Sequence, residues 1–471
     1  VSPSIGYQQC SNRSLSDYEQ FGSDGRKSNT GYNHSSSDGT GYNLRNDLLF
    51  RKKFRRRGRT FSINLQTTFN GSESKGHLET VNEFFARTGN GSRIDTLDQF
   101  IKNESNLSGY TARVVYTEPL LKRSLMEFSV GKSQNRNESV KTTYDYNDGS
   151  GKYDQLNDEL SNDFENRYGY TNAGFRVRTQ KKKYNYAIGI SWQLAELEGK
   201  IISGAKDSII AKSFTNLLPT ARFQYNFTRY KNLSFNYRSF TNQPTASQLQ
   251  PVPDVSNVLN IKEGNPDLKQ EFTHSLQVNY MGVNPFRNKN LFAFFNLSRT
   301  DNKIVNSDTL YASGVKVTKP VNVDGVYNLS GEVNLGLPAR FLKGTLRIGT
   351  NLGYDRGRQF INNMANTINT FSAGPTLSMD MSPAEKIDLS MSAGINYNKS
   401  TYSLQSAFNT KYFSQVYETE FNWQLPKGFY FSTDFTYTVN NQLNDGFNAK
   451  VPLWGAALSK QFLNFNRGEL K

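Results

Sequence analysis

The sequence predicts an all-β fold, a large antiparallel up-and-down transmembrane β-barrel. Three observations predict it. Apolar residues recur with a period of two. Connections alternate between short and long. A polar chain of 471 residues carries 33 Phe, 26 Tyr and 3 Trp without any long apolar run. Hydrophobic residues make up only 36% of the chain, and mean hydropathy is −0.67. The longest apolar run, Leu291 to Phe295, has five residues. A membrane-crossing helix needs roughly 20, so helical spanning is excluded. Disorder usually comes with few aromatics, which excludes a wholly disordered chain. A closed barrel reconciles polarity with a membrane. Lipid cannot satisfy backbone N–H and C=O groups, so a spanning sheet must close on itself. One face of each strand is then apolar, and the other faces a lumen and stays polar.

The strands follow in order. Val1 to Tyr7 is a strand end. Phe61, Ile63, Leu65 and Phe69 alternate with polar residues. Tyr184, Tyr186, Ile188, Ile190, Trp192 and Leu194 sustain the alternation over eleven residues, a strand signal. Ala221, Phe223, Tyr225 and Phe227 repeat it, then Leu233, Phe235 and Tyr237, then Phe272, His274, Leu276, Val278 and Tyr280. Tyr417, Phe421, Trp423 and Leu425 precede Phe429, Phe431, Phe435, Tyr437 and Val439, and Val451 to Lys460 is the last strand. No helix of ten or more residues is expected, and Leu156–Phe164 is the one candidate for a short helix.

Short connections fall near Lys53–Gly58, Glu118–Arg123, Gln180–Lys182, Thr228–Lys231, Val283–Lys289, Pro338–Lys343, Ser382–Lys386 and Pro426–Lys427. Long polar stretches lie between them, notably Gly71–Ser108, Asn135–Asn166, Ala195–Asn216 and Thr241–Glu271. Tight turns at one end and long loops at the other describe a barrel with periplasmic turns and outer loops. A Greek-key sandwich would mix the lengths. Hairpins around the short turns, plus the two terminal strands, give about 18 strands. A soluble β-solenoid or multi-sandwich is the alternative, but no fixed sequence period supports it.

The net charge of +15 raises nucleic-acid or membrane-surface binding. The strongest basic run is RKKFRRRGR, Arg51 to Arg59, followed by Lys181 to Lys183. No nucleic-acid module accompanies them. Their position between strands reads as solvated turns. Cys10 alone excludes an internal disulfide or thiolate cluster, and His34, His77 and His274 are too far apart in sequence to suggest a multi-histidine metal site.

Residues Leu218 to Tyr280 resemble the outer-membrane β-barrel of TonB-dependent receptors of the Bacteroidetes type. The most specific piece is Gly264, Asn265, Pro266, Asp267, Leu268 and Lys269, with Glu271 and His274 following; Gln270 stands where the family usually has Pro. FRKKFRRRGRTFSINL and LPKGFYFSTDFTYTVNNQ carry the likeness further. The resemblance implies a partial barrel spanning residues 1–471 as a single domain, with about 18 strands of a probable 22, incomplete at both ends. It implies an outer-membrane protein of a Gram-negative bacterium, the barrel of a receptor for active uptake of a siderophore, glycan, peptide or similar nutrient. Its implied partners are outer-membrane lipid, its own plug domain and through it TonB, possible use of a surface lipoprotein lid, and a small solute, with no nucleic acid. Plug, energy-coupling box and final strands are expected to lie outside this sequence. A binding or adhesion protein without transport, or a barrel-wall hydrolase, are the alternatives.

Few residues invite chemistry. Gly264 to Lys269 and Glu271 read as a structural turn: Asn265-Pro266 opens it, Pro266 fixes φ, and Asp267 can cap the backbone. The acidic loop Asp145–Glu165 lacks calcium-loop spacing, because Ser150 stands where glycine is required. No nucleophile motif adjoins a histidine, so no enzyme activity, cofactor or metal is expected. Ligand selectivity is expected in the long loops. Phe84, Phe85, Tyr144, Tyr146 and Tyr153 are the candidate contacts, suited to stacking on a polar solute.

Overall fold

The computed structural model describes residues 2–21, 26–85, 91–158, 160–202, 208–249, 253, 260–311, 315–441, 449–462 and 468–470. Among the described residues the alternating sequence becomes 23 strands in one sheet. They are β1 (Ser2–Phe21), β2 (Lys27–Lys53), β3 (Thr60–Phe85), β4 (Ser92–Leu121), β5 (Ser124–Asn147), β6 (Lys152–Leu156), β7 (Asn162–Gln180) and β8 (Tyr184–Ile202). Next come β9 (Ser208–Thr228), β10 (Lys231–Asn242), β11 (Asn260–Lys262), β12 (Glu271–Asn284), β13 (Lys289–Asp301), β14 (Lys303–Leu310), β15 (Lys316–Val323) and β16 (Val326–Ala339). The last are β17 (Gly344–Ile361), β18 (Met364–Ala384), β19 (Ile387–Tyr402), β20 (Thr410–Leu425), β21 (Phe429–Asn441), β22 (Ala449–Phe462) and β23 (Gly468–Leu470).

Antiparallel ladders join consecutive strands from β1 to β5, then β7 to β10, β12, β13, and β16 to β22. These are the eighteen long strands the alternation implied, and β23 pairs onto β22. The short strands β6, β11, β14 and β15 decorate the end of the long connections. Among the described residues no ladder joins β1 to β22 or β23.

Register assigns the two faces. In β8, Ile188, Ile190, Trp192 and Leu194 are exposed, while Gln193, Ala195 and Leu197 are buried. Paired residues share a face, so the exposed row continues through Phe175 of β7 and Leu217 and Phe223 of β9. It reaches Phe235, Val278, Phe295, Leu335, Ile348, Leu377, Met391, Tyr417 and Leu458 round the meander. On β3 this outward belt runs from Phe61 to Phe69, roughly the nine to eleven residues a tilted strand needs to cross a bilayer. Rings cluster at its short-turn edge, where Tyr225 meets Phe227 at 4.8 Å and Tyr184 stacks on Tyr186 at 6.5 Å. The opposite face is polar: Asp47, for example, accepts from Asn64 (2.6 Å) and Gln66 (2.7 Å).

All eight expected short turns join strands at one end. The long connections differ from expectation. Most described residues of Gly71–Ser108, Asn135–Asn166 and Ala195–Asn216 are paired strands carried past the apolar belt. Outside lipid both faces are wet, so backbone pairing continues while the apolar alternation stops. For the same reason β1 extends to Phe21, well beyond Tyr7. Leu156–Phe164 is not helical in its described residues: Leu156 ends β6 and Asn162 opens β7. The single α-helix among the described residues, α1 (Ala246–Leu249), lies in the Thr241–Glu271 connection. Between β17 and β18 the outer connection is only Asn362-Asn363, both at positive φ (50° and 63°), the two-residue hairpin turn that asparagine tolerates.

A candidate solute groove and the segment stapled beside it

The described residues of 243–270 carry only the short β11 ladder, three pairs with β15, so their polar groups need partners elsewhere. The chain supplies them from its own motif. Asn265 Oδ1 accepts from the Asp267 N–H at 3.0 Å, an Asx turn, and Asn265 N donates to Gln248 O at 2.6 Å. Asn265 Nδ2 donates to Pro320 O on β15 at 2.9 Å. Asn322 of β15 accepts from Lys269 N (2.7 Å) and donates to Lys269 O (3.1 Å) and Asn302 O (2.7 Å). Lys212 Nζ of β9 reaches Leu268 O at 3.2 Å, and Asn216 Nδ2 reaches Gln270 Oε1 at 2.7 Å. Glu271, almost buried, pairs with Lys303 at 2.9 Å and accepts from Ile304 N at 2.9 Å.

Apolar packing completes the staple. Leu268 is 0% exposed, and it joins Leu249 with Phe164 and Tyr168 of β7, Ala195 and Leu197 of β8, and Ile210 of β9. Ala195 and Leu197 lie on the polar, inner face of β8, so Leu249 and Leu268 pack against the inner wall. Gly264 is buried in the same turn.

A groove opens beside the staple. The register sets Asn43, Asn70, Leu107, Asn137 and Asn166 side by side on the inner face of β2, β3, β4, β5 and β7. A cavity of about 500 Å³ lies between Asn135, Asn137, Asn166, Phe164 and Tyr168 and the first residues of the inward segment, Gln243 to Thr245. Leu107 and Asn137 also line a second cavity of about 520 Å³ that reaches Asn43, Asn70, Ser72 and Ser105. Each falls in the size range of small-molecule sites. Asn70 Oδ1 is buried there with no hydrogen-bond partner. The walls offer amide donors and acceptors, four aromatic residues (Tyr7, Tyr42, Phe164 and Tyr168) and no ionised side chain.

The five aromatic candidates stand elsewhere. Tyr144, Tyr146 and Tyr153 share the outward face of the extended β2–β6 hairpins. Tyr153 lies 5.0 Å from the His77 ring, 6.2 Å from Phe100 and 5.2 Å from Tyr146, and Tyr144 sits opposite Phe100. The Tyr153 hydroxyl donates to Asp98 at 2.8 Å; burial, with that bond, pushes it up to about 12. Phe84 and Phe85 end β3, paired with Arg93 and Ser92 and outside that ring cluster. None of the five lines the two cavities. The asparagine row escaped sequence reasoning because single asparagines in five distant strands align only once register is known.

The basic run forms a turn. Phe54 N donates to Arg59 O at 3.1 Å, and Arg59 grips Glu118 through two bonds of 2.7 and 2.9 Å, with Arg56 adding a third at 2.7 Å. The Arg59 bonds, with one from Tyr116, hold the Glu118 carboxyl down at about 2. In the acidic loop Asp145 accepts from Gln99 and Asn157, and no cluster of three or more His, Cys, Asp or Glu suited to a metal occurs among the described residues.

Among solved structures, the chain is similar to the Serratia marcescens hemophore receptor HasR (10% identity, TM-score 0.46, 93% of this chain and 73% of that one). It is similar to the FrpB iron transporter from Neisseria meningitidis (8%, 0.45, 96% and 80%) and to the siderophore receptor PirA from Acinetobacter baumannii (10%, 0.45, 97% and 80%). No curated protein matches the chain. The model of the outer membrane protein β-barrel family matches residues 52–354, most of the sequence. The chain belongs to the outer membrane protein β-barrel family, and its outward apolar belt is the surface that meets lipid.

Proposed function

We propose that residues 1–471 form the barrel wall of a TonB-dependent outer-membrane receptor that takes up a small nutrient actively. The observation that carries this reading is the inner wall itself. A polar inner wall carries an asparagine-lined groove towards the long-connection end, and Gln243, Pro244 and Thr245 form one side of it. A solute captured there stands at the top of a path lined by polar side chains. The groove suits a neutral solute rich in hydroxyl or amide groups, because Asn43, Asn70, Asn137 and Asn166 donate and accept without demanding charge. The motif resemblance at Gly264–Lys269 supports the receptor class. In this reading a plug domain occupies the lumen, TonB supplies energy through it, and any surface lipoprotein lid would sit on the outer hairpins. No reaction is assigned to the chain.

The test uses the intact receptor in its own outer membrane. Asn70→Leu combined with Asn137→Leu should lower solute binding at least tenfold while the barrel still runs as a heat-modifiable band. Collapsing the proton-motive force should abolish uptake and spare binding. Uptake that persists without that force would make the barrel a passive channel, and binding without any uptake would make it an adhesion surface.

A further inference from the structure

Below the groove the lumenal wall is divided by charge. From β4 to β10 the inward-facing ions at membrane depth are Arg113, Arg176, Arg178, Arg222 and Arg238, with Glu127 as the carboxylate among them. Glu127 sits 3.7 Å from Arg176. Arg178 and Arg222 flank Ala187 in one row, and neither has a carboxylate partner among the described residues. From β16 to β21 the sign reverses. Glu332, Asp355, Asp380, Glu418, Glu420 and Asp434 face inward, and Arg347, bonded to Asp380, is the cation among them. Glu420 stands directly opposite Asp434 across the β20–β21 ladder, a like-charge pair that destabilises a sheet unless a cation lies between them.

A second observation lies between the two walls. On β12 and β13, Met281 opposes Phe292, and Phe294 follows on the same inner face. Phe292 is 43% and Phe294 40% exposed, on a face that is otherwise mostly polar. Large rings facing a water-filled lumen are unfavourable by the apolar area they leave wet. Unpaired arginines, an opposed carboxylate pair and a wet apolar seam are each costly alone. All three are relieved together by a single solid body of the right pattern.

We infer that the lumen is built to seat an electrically bipolar protein domain in one rotational setting. That domain presents acidic side chains to β4–β10, apolar side chains to the Met281–Phe292–Phe294 seam and basic side chains to β16–β21. The inference rests on the receptor reading above and goes beyond it, since it specifies the charge pattern of the occupant and assigns the wall a role in orienting it. Rotation by half a turn would set like charges against each other on both walls, so the wall discriminates between settings as well as holding one.

The experiment uses the intact receptor in isolated outer membranes, with proteolysis of the lumenal domain from the periplasmic side as readout. Raising salt from low to about 1 M, where screening acts within about 3 Å, should speed that proteolysis severalfold without any substitution. The combined variant Arg113→Glu, Arg178→Glu, Arg222→Glu should speed it at least tenfold, and Glu418→Lys with Asp434→Lys should do the same. The arginine-to-lysine triple variant should stay protected, and every variant should keep its heat-modifiable band. Protection that ignores both salt and charge reversal, in barrels that fold, overturns the inference and leaves the receptor reading standing. An unsubstituted receptor with no protected lumenal domain overturns both.

Discussion

Two outer regions of this wall look alike in composition and solve the same problem in opposite ways. The hairpins β2–β6 and the connection Thr241–Glu271 are both long, polar stretches beyond the lipid belt. In the hairpins, backbone groups pair with backbone groups, and the ladder runs from Thr60 to Phe85 against β4 without a break. Their side chains are therefore not needed to satisfy the backbone, and Tyr146, Tyr153, His77 and Phe100 gather on the outward surface. Among the described residues of the Thr241–Glu271 connection, β11 supplies only three backbone pairs. Side chains of Asn265, Asn322, Lys212 and Glu271 take over the hydrogen bonding, and they are committed to structure. Side chains are available for recognition where the backbone satisfies itself, and the groove walls on β2–β7 are of that kind.

Substitutions sharpen this contrast. Leu268→Ala should have the largest effect, about 2–5 kcal/mol, because it empties a fully buried site. Hydrogen exchange should show residues 260–271 losing protection while β3 and β4 keep theirs. Asn322→Ala leaves the Lys269 amide and carbonyl without partners and should cost about 1–3 kcal/mol in the same assay. Equal loss in the hairpins would break the distinction between the regions. Tyr153→Phe removes a single bond to Asp98 and should cost the hairpin about 0.5–1.5 kcal/mol, leaving the inward segment untouched.

The smallest effect concerns pH at the opposite end. The Glu118 carboxyl lies near 2 in the folded protein, below its ordinary range of about 4.3. Its contribution is therefore complete above the ordinary value and declines as pH falls toward 2. Peptic cleavage at Phe54, in the same turn, should rise across that window, and Glu118→Gln should flatten the dependence.

Much of the fold was legible because lipid imposes a rule on every strand that crosses it. Ile188, Ile190 and Trp192 must alternate with small or polar residues, and the eight tight turns mark where the chain leaves the bilayer. Beyond the belt that rule lapses. The hairpin at His77 and Phe100 carries no alternation, so it read as loop although its backbone is paired up to Phe85 and Ser92. The Gly264–Lys269 turn was visible through Asn265-Pro266, yet its anchors Asn322 and Lys212 lie over 50 residues away and carry no local signal. The charge division of the lumen was invisible for a related reason. Arg113 and Asp380 acquire a side only when register assigns one.

That assignment of faces is the central claim, and one paired measurement tests it most directly. Arginine placed at Ile188, 62% exposed on the outward belt, should destabilise the folded barrel in a bilayer by about 2–4 kcal/mol. Arginine at Ser191, on the inner face of the same strand, should cost far less. Gly189 is unsuitable as the inner partner, because a Cβ there would lie 3.0 Å from Phe175 O. Reversible unfolding from lipid vesicles measures both variants of the intact receptor. A large penalty at 188 with a small one at 191 is the predicted result; equal penalties, or the reverse order, would contradict the account.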